Sequence, residues 1–350
     1  KIFPFATLKL GRYGDLFINN TSANNQPDKI GVAGSYGFAT LIHEIGHTLG
    51  LKHPGNYDAR SGGTDSPYLL KDRDSNLYSI MSYDYKDADK DIPRKRDVQP
   101  RTPMLYDIAA IQSLYGANFS TRSGNDTYQY NDVDLPFMET IWDGGGIDTI
   151  DASKQSRGSE INLNAGQFSS IGPINTTTYI NKDGKTIHDP LEKYNLAIAF
   201  GVTIENAIGG TGDDILIGNQ VSNRLEGGAG DDLLIGGAGA DILIGGAGRD
   251  TASYTTSPQG VTINLVTGQG FGGDATGDTL QSIENLEGSE FDDTFIANAD
   301  PNQLDGRDGN DTVSYVNSTA GVTALPAVTR YTLLFLVCSL TNFQDLDCTS

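Results

Sequence analysis

Three of the chain's four histidines fall inside one short segment, H-E-I-G-H-T-L-G-L-K-H at 43–53. His43 and His47 stand four apart, so on a helix both imidazoles leave one face and can bind a single ion. Glu44 lies beside them, close enough to take a proton from a water at that ion. Gly50 lets the chain leave the helix sharply and bring in His53 as third ligand. Three nitrogen ligands leave one tetrahedral position open to water, which marks a catalytic rather than a structural zinc site. A lone histidine pair would be ascribed to core packing or surface chance. Three of four histidines plus Glu and Gly at these offsets put chance on the order of one in a million. The fourth histidine, His188 in GKTIHDP, reads as an exposed loop residue.

A second set of potential metal ligands recurs with a period. From Gly209 the chain falls into blocks of nine: GGTGDDILI, GNQVSNRLE, GGAGDDLLI, GGAGADILI and GGAGRDTAS. The sixth position reads Asp214, Asn223, Asp232, Asp241, Asp250, and the eighth Leu216, Leu225, Leu234, Leu243, Ala252. A second run holds its own frame, with sixth positions Asp293, Asn302 and Asp311. This is the parallel β-roll signature, in which glycines make the turn, aspartate binds calcium and the apolar residue packs inside. Calcium takes hard oxygen ligands. The candidate ligands are therefore Gly210, Gly212, Asp214, Gly228, Gly230, Asp232, Gly237, Gly239, Asp241, Gly246, Gly248, Asp250 and Asp311. Residues 209–253 carry seven acidic and two basic side chains, so the region is expected to fold only with calcium. The blocks at 218–226 and 297–305 have Asn at the sixth position and no double glycine, and are expected to close the stack without complete sites.

The elements that must position these residues follow from local signals. Residues 38–49 read as the metal-binding helix, ended by Gly50 in a left-handed C-terminal position. Residues 103–115 read as a second helix, with Pro103 near its first turn and Gly116 beyond it. Segment 15–18 reads as a strand, 55–80 as a long surface loop, and 161–164 as one of several short strand-like pieces bridging to the repeats.

Composition sets outer limits. The formal charge of −21 argues against nucleic acid or an anionic membrane surface as partner. The excess is uneven, with 13 acidic and 14 basic side chains in residues 1–120 against 32 and 10 in 121–350. Cys338 and Cys348 are the only cysteines, so no disulfide framework holds either part, and bound metal ions can supply the staples instead. Lys1–Leu10 lacks the apolar core of a signal peptide, and the apolar run 333–338 is too short to span a bilayer. The chain is read as soluble.

The zinc pattern followed by S-I-M-S-Y at 79–83 resembles the metzincins, in which a methionine turn lies beneath the metal. With H-P-G at 53–55 and the repeats downstream, it is similar to the serralysins, over roughly residues 14–323. The resemblance implies that Met81 forms the turn and that Tyr83 is an additional zinc ligand that swings away to stabilise the oxyanion. It implies a further calcium site at Arg122, Gly124, Asp126, Asp143, Gly145 and Asp148. It also implies one catalytic zinc, several structural calcium ions, polypeptide substrates, a proteinaceous inhibitor as partner, a monomeric state, and export from the cell.

The expected architecture is an α+β metzincin-like zinc catalytic domain in partial form over 1–120. An all-β parallel β-roll of calcium-binding (RTX) repeats follows over 121–323, and a divergent tail occupies 324–350. Only 42 residues precede His43, fewer than such a domain carries, and GDLFINN at 14–20 resembles the last strand of its sheet. The echo of DTASYTTSPQGVT (250–262) in DTVSYVNSTAGVT (311–323) stops at Thr323, as a frameshift or wrongly joined segment would produce. The expected function is a secreted, zinc-dependent, calcium-stabilised metalloendopeptidase. The rival expectation is a non-catalytic calcium-binding repeat protein with a remnant peptidase part. A purely structural or adhesive repeat protein would leave Glu44 and His53 without a purpose.

Overall fold

The computed structural model describes residues 26–55, 69–83, 98–134, 137–172 and 194–316, and the strands Thr176–Ile180, Thr186–Pro190 and Phe335–Val337. The strand expected at 15–18 lies outside these residues. The chain divides into two compact units, one taking residues 1–124, 133–146 and 165–202, the other 125–132, 147–164 and 203–350. The short strand-like pieces expected to bridge to the repeats, over 121–208, are therefore not a simple connection. They contribute alternately to both units.

In the first unit a short helix, α1 (Pro27–Ile30), precedes α2 (Tyr36–Thr48). The Ser35 hydroxyl caps α2 by accepting the Phe38 N–H at 3.1 Å. Ala39, His43 and Gly46 are buried on one face at helical spacing. The helix closes in a Schellman motif: Leu51 N–H donates to the Gly46 carbonyl at 2.9 Å and Gly50 N–H to that of His47 at 3.1 Å. Gly50 has φ +95°, the left-handed conformation expected there.

Helix α3 is Leu105–Tyr115, and Gly116 beyond it has φ +83°. Ala39, Leu77, Ile80, Met81, Met104 and Met138 form a buried cluster in this unit, which includes all three methionines of the chain. Ile42, Leu51, Tyr78, Val98, Phe168 and Tyr194 pack against it. The surface loop expected over 55–80 is corrected at its end, because Ser75, Asn76, Leu77, Ser79 and Ile80 are buried. Four apolar or aromatic side chains at 77–81 supply the area that draws this segment inward. His188 also departs from expectation. It lies in strand Thr186–Pro190, which pairs antiparallel with Thr176–Ile180 and places His188 opposite Thr178. The β-branched residues of TTTYI favour that extended pairing.

The second unit consists mainly of an eleven-stranded and a six-stranded sheet. Successive repeats alternate between them. Ile215–Ile217, Leu233–Ile235 and Thr251–Ser253 are consecutive parallel neighbours in one sheet. Arg224–Ala229 and Ile242–Ala247 pair in the other. One turn of the roll is thus two blocks, and Leu216 aligns with Leu234 and Ala252 while Leu225 aligns with Leu243. All five are fully buried. The spacing between turns leaves no room for a Cβ at Gly228 or Gly246, which would overlap the carbonyl oxygens of Gly210 and Gly228.

The Asn223 block does not close the stack. Its strand sits inside the large sheet, between Asn206–Ile208 and Ile242–Ala247. In the tail, Phe335–Val337 pairs in parallel with Thr312–Ser314 at the end of that sheet. Among the described residues no helix is long and apolar enough to cross a membrane.

Candidate metal centres

His43, His47 and His53 come together as the sequence predicts. His43 Nδ1 donates to the Ile80 carbonyl at 2.8 Å, and His47 Nδ1 donates to the Leu51 carbonyl at 2.9 Å. A carbonyl can only accept, so both Nδ1 atoms carry the proton and both Nε2 atoms present lone pairs. Those Nε2 atoms each lie 3.1 Å from His53 Nε2. His53 can donate one proton to at most one of them, so the triad has one lone pair too many to be closed by hydrogen bonds alone. Nitrogens ~2.1 Å from a tetrahedral ion stand about 3.4 Å apart, close to the observed spacing. The residues present fit a divalent cation.

Electrostatics point the same way. Burial drives the His43 imidazole down to about 4, and neighbouring His47 and His53 add to the effect, although the Ile80 bond opposes it. The ring is neutral at pH 7, as a ligand must be. Burial raises the Glu44 carboxyl above its ordinary range, partly offset by His47, as suits a group that takes and returns a proton. The Tyr83 ring stacks on His43 at 5.3 Å and lies 4.5 Å from the His53 ring, with 47 % of its surface exposed.

Met81 is buried directly under α2. A Cβ added at Gly46 would sit 2.6 Å from its Sδ. Gly46→Ala should therefore lose more by overpacking (about 1–3 kcal/mol) than it gains in helix propensity (~1 kcal/mol). A lowered thermal midpoint is the expected result, and an unchanged or raised one would contradict this packing.

Sequence reasoning overlooked Asp107. Its buried carboxylate accepts the Ser79 hydroxyl at 2.6 Å, Ile80 N–H at 2.7 Å and Met104 N–H at 2.8 Å. Burial lifts it to about 6 against those three bonds. An acid in the first turn of the helix expected at 103–115 was the available signal, but nothing local shows that it reaches back to 79–80.

In the second unit the sixth-position side chains form ladders. Asp214 N–H donates to Asp232 Oδ1 at 2.7 Å, and Asp232 N–H to Asp250 Oδ1 at 2.9 Å, each across 18 residues. Asn223 N–H donates to Asp241, and Asp293 N–H to Asp311, in the same way. Three residues outside the predicted blocks occupy equivalent places: Glu284 accepts from Asp250, Asp278 from Asp241 and Glu205 from Asp148. Each is an acid two residues before a buried apolar residue, Leu286, Leu280 and Ala207, and that spacing was the overlooked signal.

One oxygen each of Asp232, Asp241, Asp250 and Asp311 is buried without a hydrogen-bond donor. Four such carboxylate atoms would be costly in a finished fold, and a hard cation answers them.

Residues 106–191 match the family described as Peptidase M10 serralysin C terminal. Residues 217–252 and 285–315 match the RTX calcium-binding nonapeptide repeat. The chain carries a serralysin-type C-terminal domain with RTX calcium-binding repeats.

Among curated relatives, Metallopeptidase AprA of Pseudomonas marginalis is 40 % identical over 221 residues, covering 59 % of this chain and 42 % of that protein. Serralysin C of Dickeya chrysanthemi is 45 % identical over 201 residues, covering 52 % and 36 %. Serralysin of Proteus mirabilis is 39 % identical over 208 residues, covering 55 % and 37 %. The chain spans less than half the length of these relatives.

The serralysin resemblance also implies a calcium set at 122–148. Of its members, Arg122, Gly124, Asp143 and Gly145 belong to the first unit, and Asp126 and Asp148 to the second. In the first unit Gly145 N–H donates to Asp143 Oδ1 at 2.8 Å, and Arg122 has φ +49°. In the second, Asp126 N–H donates to Asp148 Oδ1 at 2.7 Å.

The RTX ladder makes a pH prediction. Burial pushes Asp232 and Asp241 up to about 7, and Asp214, Asp278 and Asp311 to about 6. In the calcium-free fold these groups hold protons that an unfolded chain releases near pH ~4. The folded form then binds more protons over that window, so its stability falls as pH rises from about 4 to 7. With calcium chelated, the strand content of the repeats should be higher at pH 5 than at pH 8. Protons compete for the same oxygens, so calcium titrations should show weaker binding at pH 5. Calcium-free strand content that rises with pH would refute the account.

Proposed function

We propose that this chain is the metal-binding part of a secreted zinc-dependent metalloendopeptidase of serralysin type, with its repeat domain held together by calcium. The observation that carries the reading is that His53 Nε2 meets the Nε2 atoms of both His43 and His47 at 3.1 Å, with Glu44 next to His43 on the same helix. His43, His47 and His53 would hold zinc, and the fold around them would be a partial metzincin-like catalytic domain. When bound there, zinc supplies Lewis acidity toward a peptide carbonyl.

The protein's own groups do the rest. The Ile80 and Leu51 carbonyls keep both helix histidines in the tautomer with Nε2 free. Glu44 takes the proton of the attacking water and hands it to the leaving amine. Tyr83, half exposed beside His43 and His53, donates its hydroxyl to the oxygen on which charge develops. Tyr83→Phe should then lower kcat by up to about 10²-fold with zinc content unchanged. Gly50 and Met81 act structurally, as the turn that delivers His53 and the support beneath α2.

The ladder carboxylates Asp214, Asp232, Asp241, Asp250 and Asp311, with the turn glycines at 210, 212, 228, 230, 237, 239, 246 and 248, would supply the calcium sites. Polypeptides are the proposed substrates. Metal analysis of the purified chain tests the reading, with zinc near one per molecule and several calcium ions expected. Casein hydrolysis that is lost on zinc chelation and in Glu44→Ala would separate a working peptidase from a repeat protein with an inert remnant. Absence of zinc from folded protein incubated with excess zinc would end it.

A further inference from the structure

We propose that Asp107 is a positioning residue for the three-histidine site, tying the Met81 turn to α3 and, through Ile80, fixing the ring of His43. The inference rests on the zinc reading above.

The path is short and buried throughout. Asp107 receives the Ile80 N–H on Oδ2 at 2.7 Å, and the carbonyl of the same Ile80 receives His43 Nδ1–H at 2.8 Å. The turn cannot shift without moving that carbonyl. The remaining bonds fix Asp107 itself: Ser79 Oγ–H on Oδ1 at 2.6 Å, and Met104 N–H on Oδ2 at 2.8 Å. Ser79 Oγ in turn accepts the Met81 N–H at 3.1 Å. Three donors from two separate segments thus converge on one carboxylate, and two consecutive residues of the turn, Ile80 and Met81, hang from it. Asp107 is 2 % exposed, so loss of the carboxylate would leave three donors buried away from bulk water. The His43 ring would be left with a carbonyl free to drift, and with it the tautomer that leaves Nε2 available. Partners of metal-binding histidines act in this way on affinity.

The test measures zinc affinity of the calcium-loaded full chain by chelator competition, together with the histidine Nδ1–H signals in proton–nitrogen correlation spectra. Asp107→Ala should weaken zinc binding by about 10–100-fold and shift or broaden the His43 Nδ1–H signal. Asp107→Asn should restore most of both, since its amide oxygen still accepts Ile80 and Met104 N–H while its NH₂ can donate to Ser79 Oγ. If Asp107→Ala does not fold, Ser79→Ala, which removes one of the three donors, should still weaken zinc several-fold, and no change would overturn the proposal. A variant that melts earlier yet binds zinc with the parent's affinity, its His43 signal unmoved, shows a merely structural role and also overturns it. Should the parent itself take up no zinc, the peptidase reading fails, and the His43 signal alone then decides whether Asp107 holds the ring.

Discussion

Glu44→Gln should reduce peptide hydrolysis by about 10²–10⁴-fold while zinc stays bound, because glutamine keeps the size of the side chain and loses only its capacity to take a proton. Burial already lifts the Glu44 carboxyl above its ordinary range, toward a balance between accepting the water's proton and returning it to the amine. Glutamine cannot do either. The three imidazoles are held by the Ile80 and Leu51 carbonyls and by one another's placement, none of which involves Glu44. Zinc content near one per chain beside a collapsed kcat is therefore the expected pair of results. If the variant hydrolyses casein at the parent's rate, Glu44 is not the proton carrier. If it loses zinc as well, the rate loss says nothing about proton transfer.

Withdrawing calcium should remove most of the strand content of residues 209–253 and expose them to proteolysis. The reason is the density of charge. Asp214, Asp232 and Asp250 stack along one ladder, and Asp232 feels its neighbours Asp214, Asp250 and Asp213 in addition to its own burial. One oxygen of Asp232 and one of Asp250 have no donor at all. Strand pairs three residues long, such as Ile215–Ile217 with Leu233–Ile235, bury one leucine each and offer little to set against that repulsion. Calcium held between turns would link each to the next, so loss should be cooperative along the stack rather than site by site. Far-ultraviolet circular dichroism of chelated and calcium-loaded protein at pH 8 reads the effect directly. Equal strand content in both would show that the roll stands on its leucines alone.

Local pattern determined much of this protein. The offsets in H-E-I-G-H-T-L-G-L-K-H require nothing distant: α2 sets His43 and His47 on one face, and Gly50 turns the chain. The period of nine likewise fixes which residues point inward, because each block carries its own turn glycines and its own buried leucine. Only tertiary structure decided how these pieces are held. Asp107 is 27 residues from Ile80, and its role appears only when α3 packs beside the Met81 turn. The Asn223 block reads locally as an end of the stack, yet the Asn223 amide oxygen accepts Asn219 N–H at 2.8 Å as Asp214 accepts that of Gly210, so its turn closes within the sheet. Glu205, Asp278 and Glu284 stand outside the predicted blocks and join the ladders because strand pairing brings them level with the repeats. Helix periodicity, turn glycines and repeat spacing are properties of neighbouring residues, whereas a buried carboxylate finds its donors only where separate segments pack together.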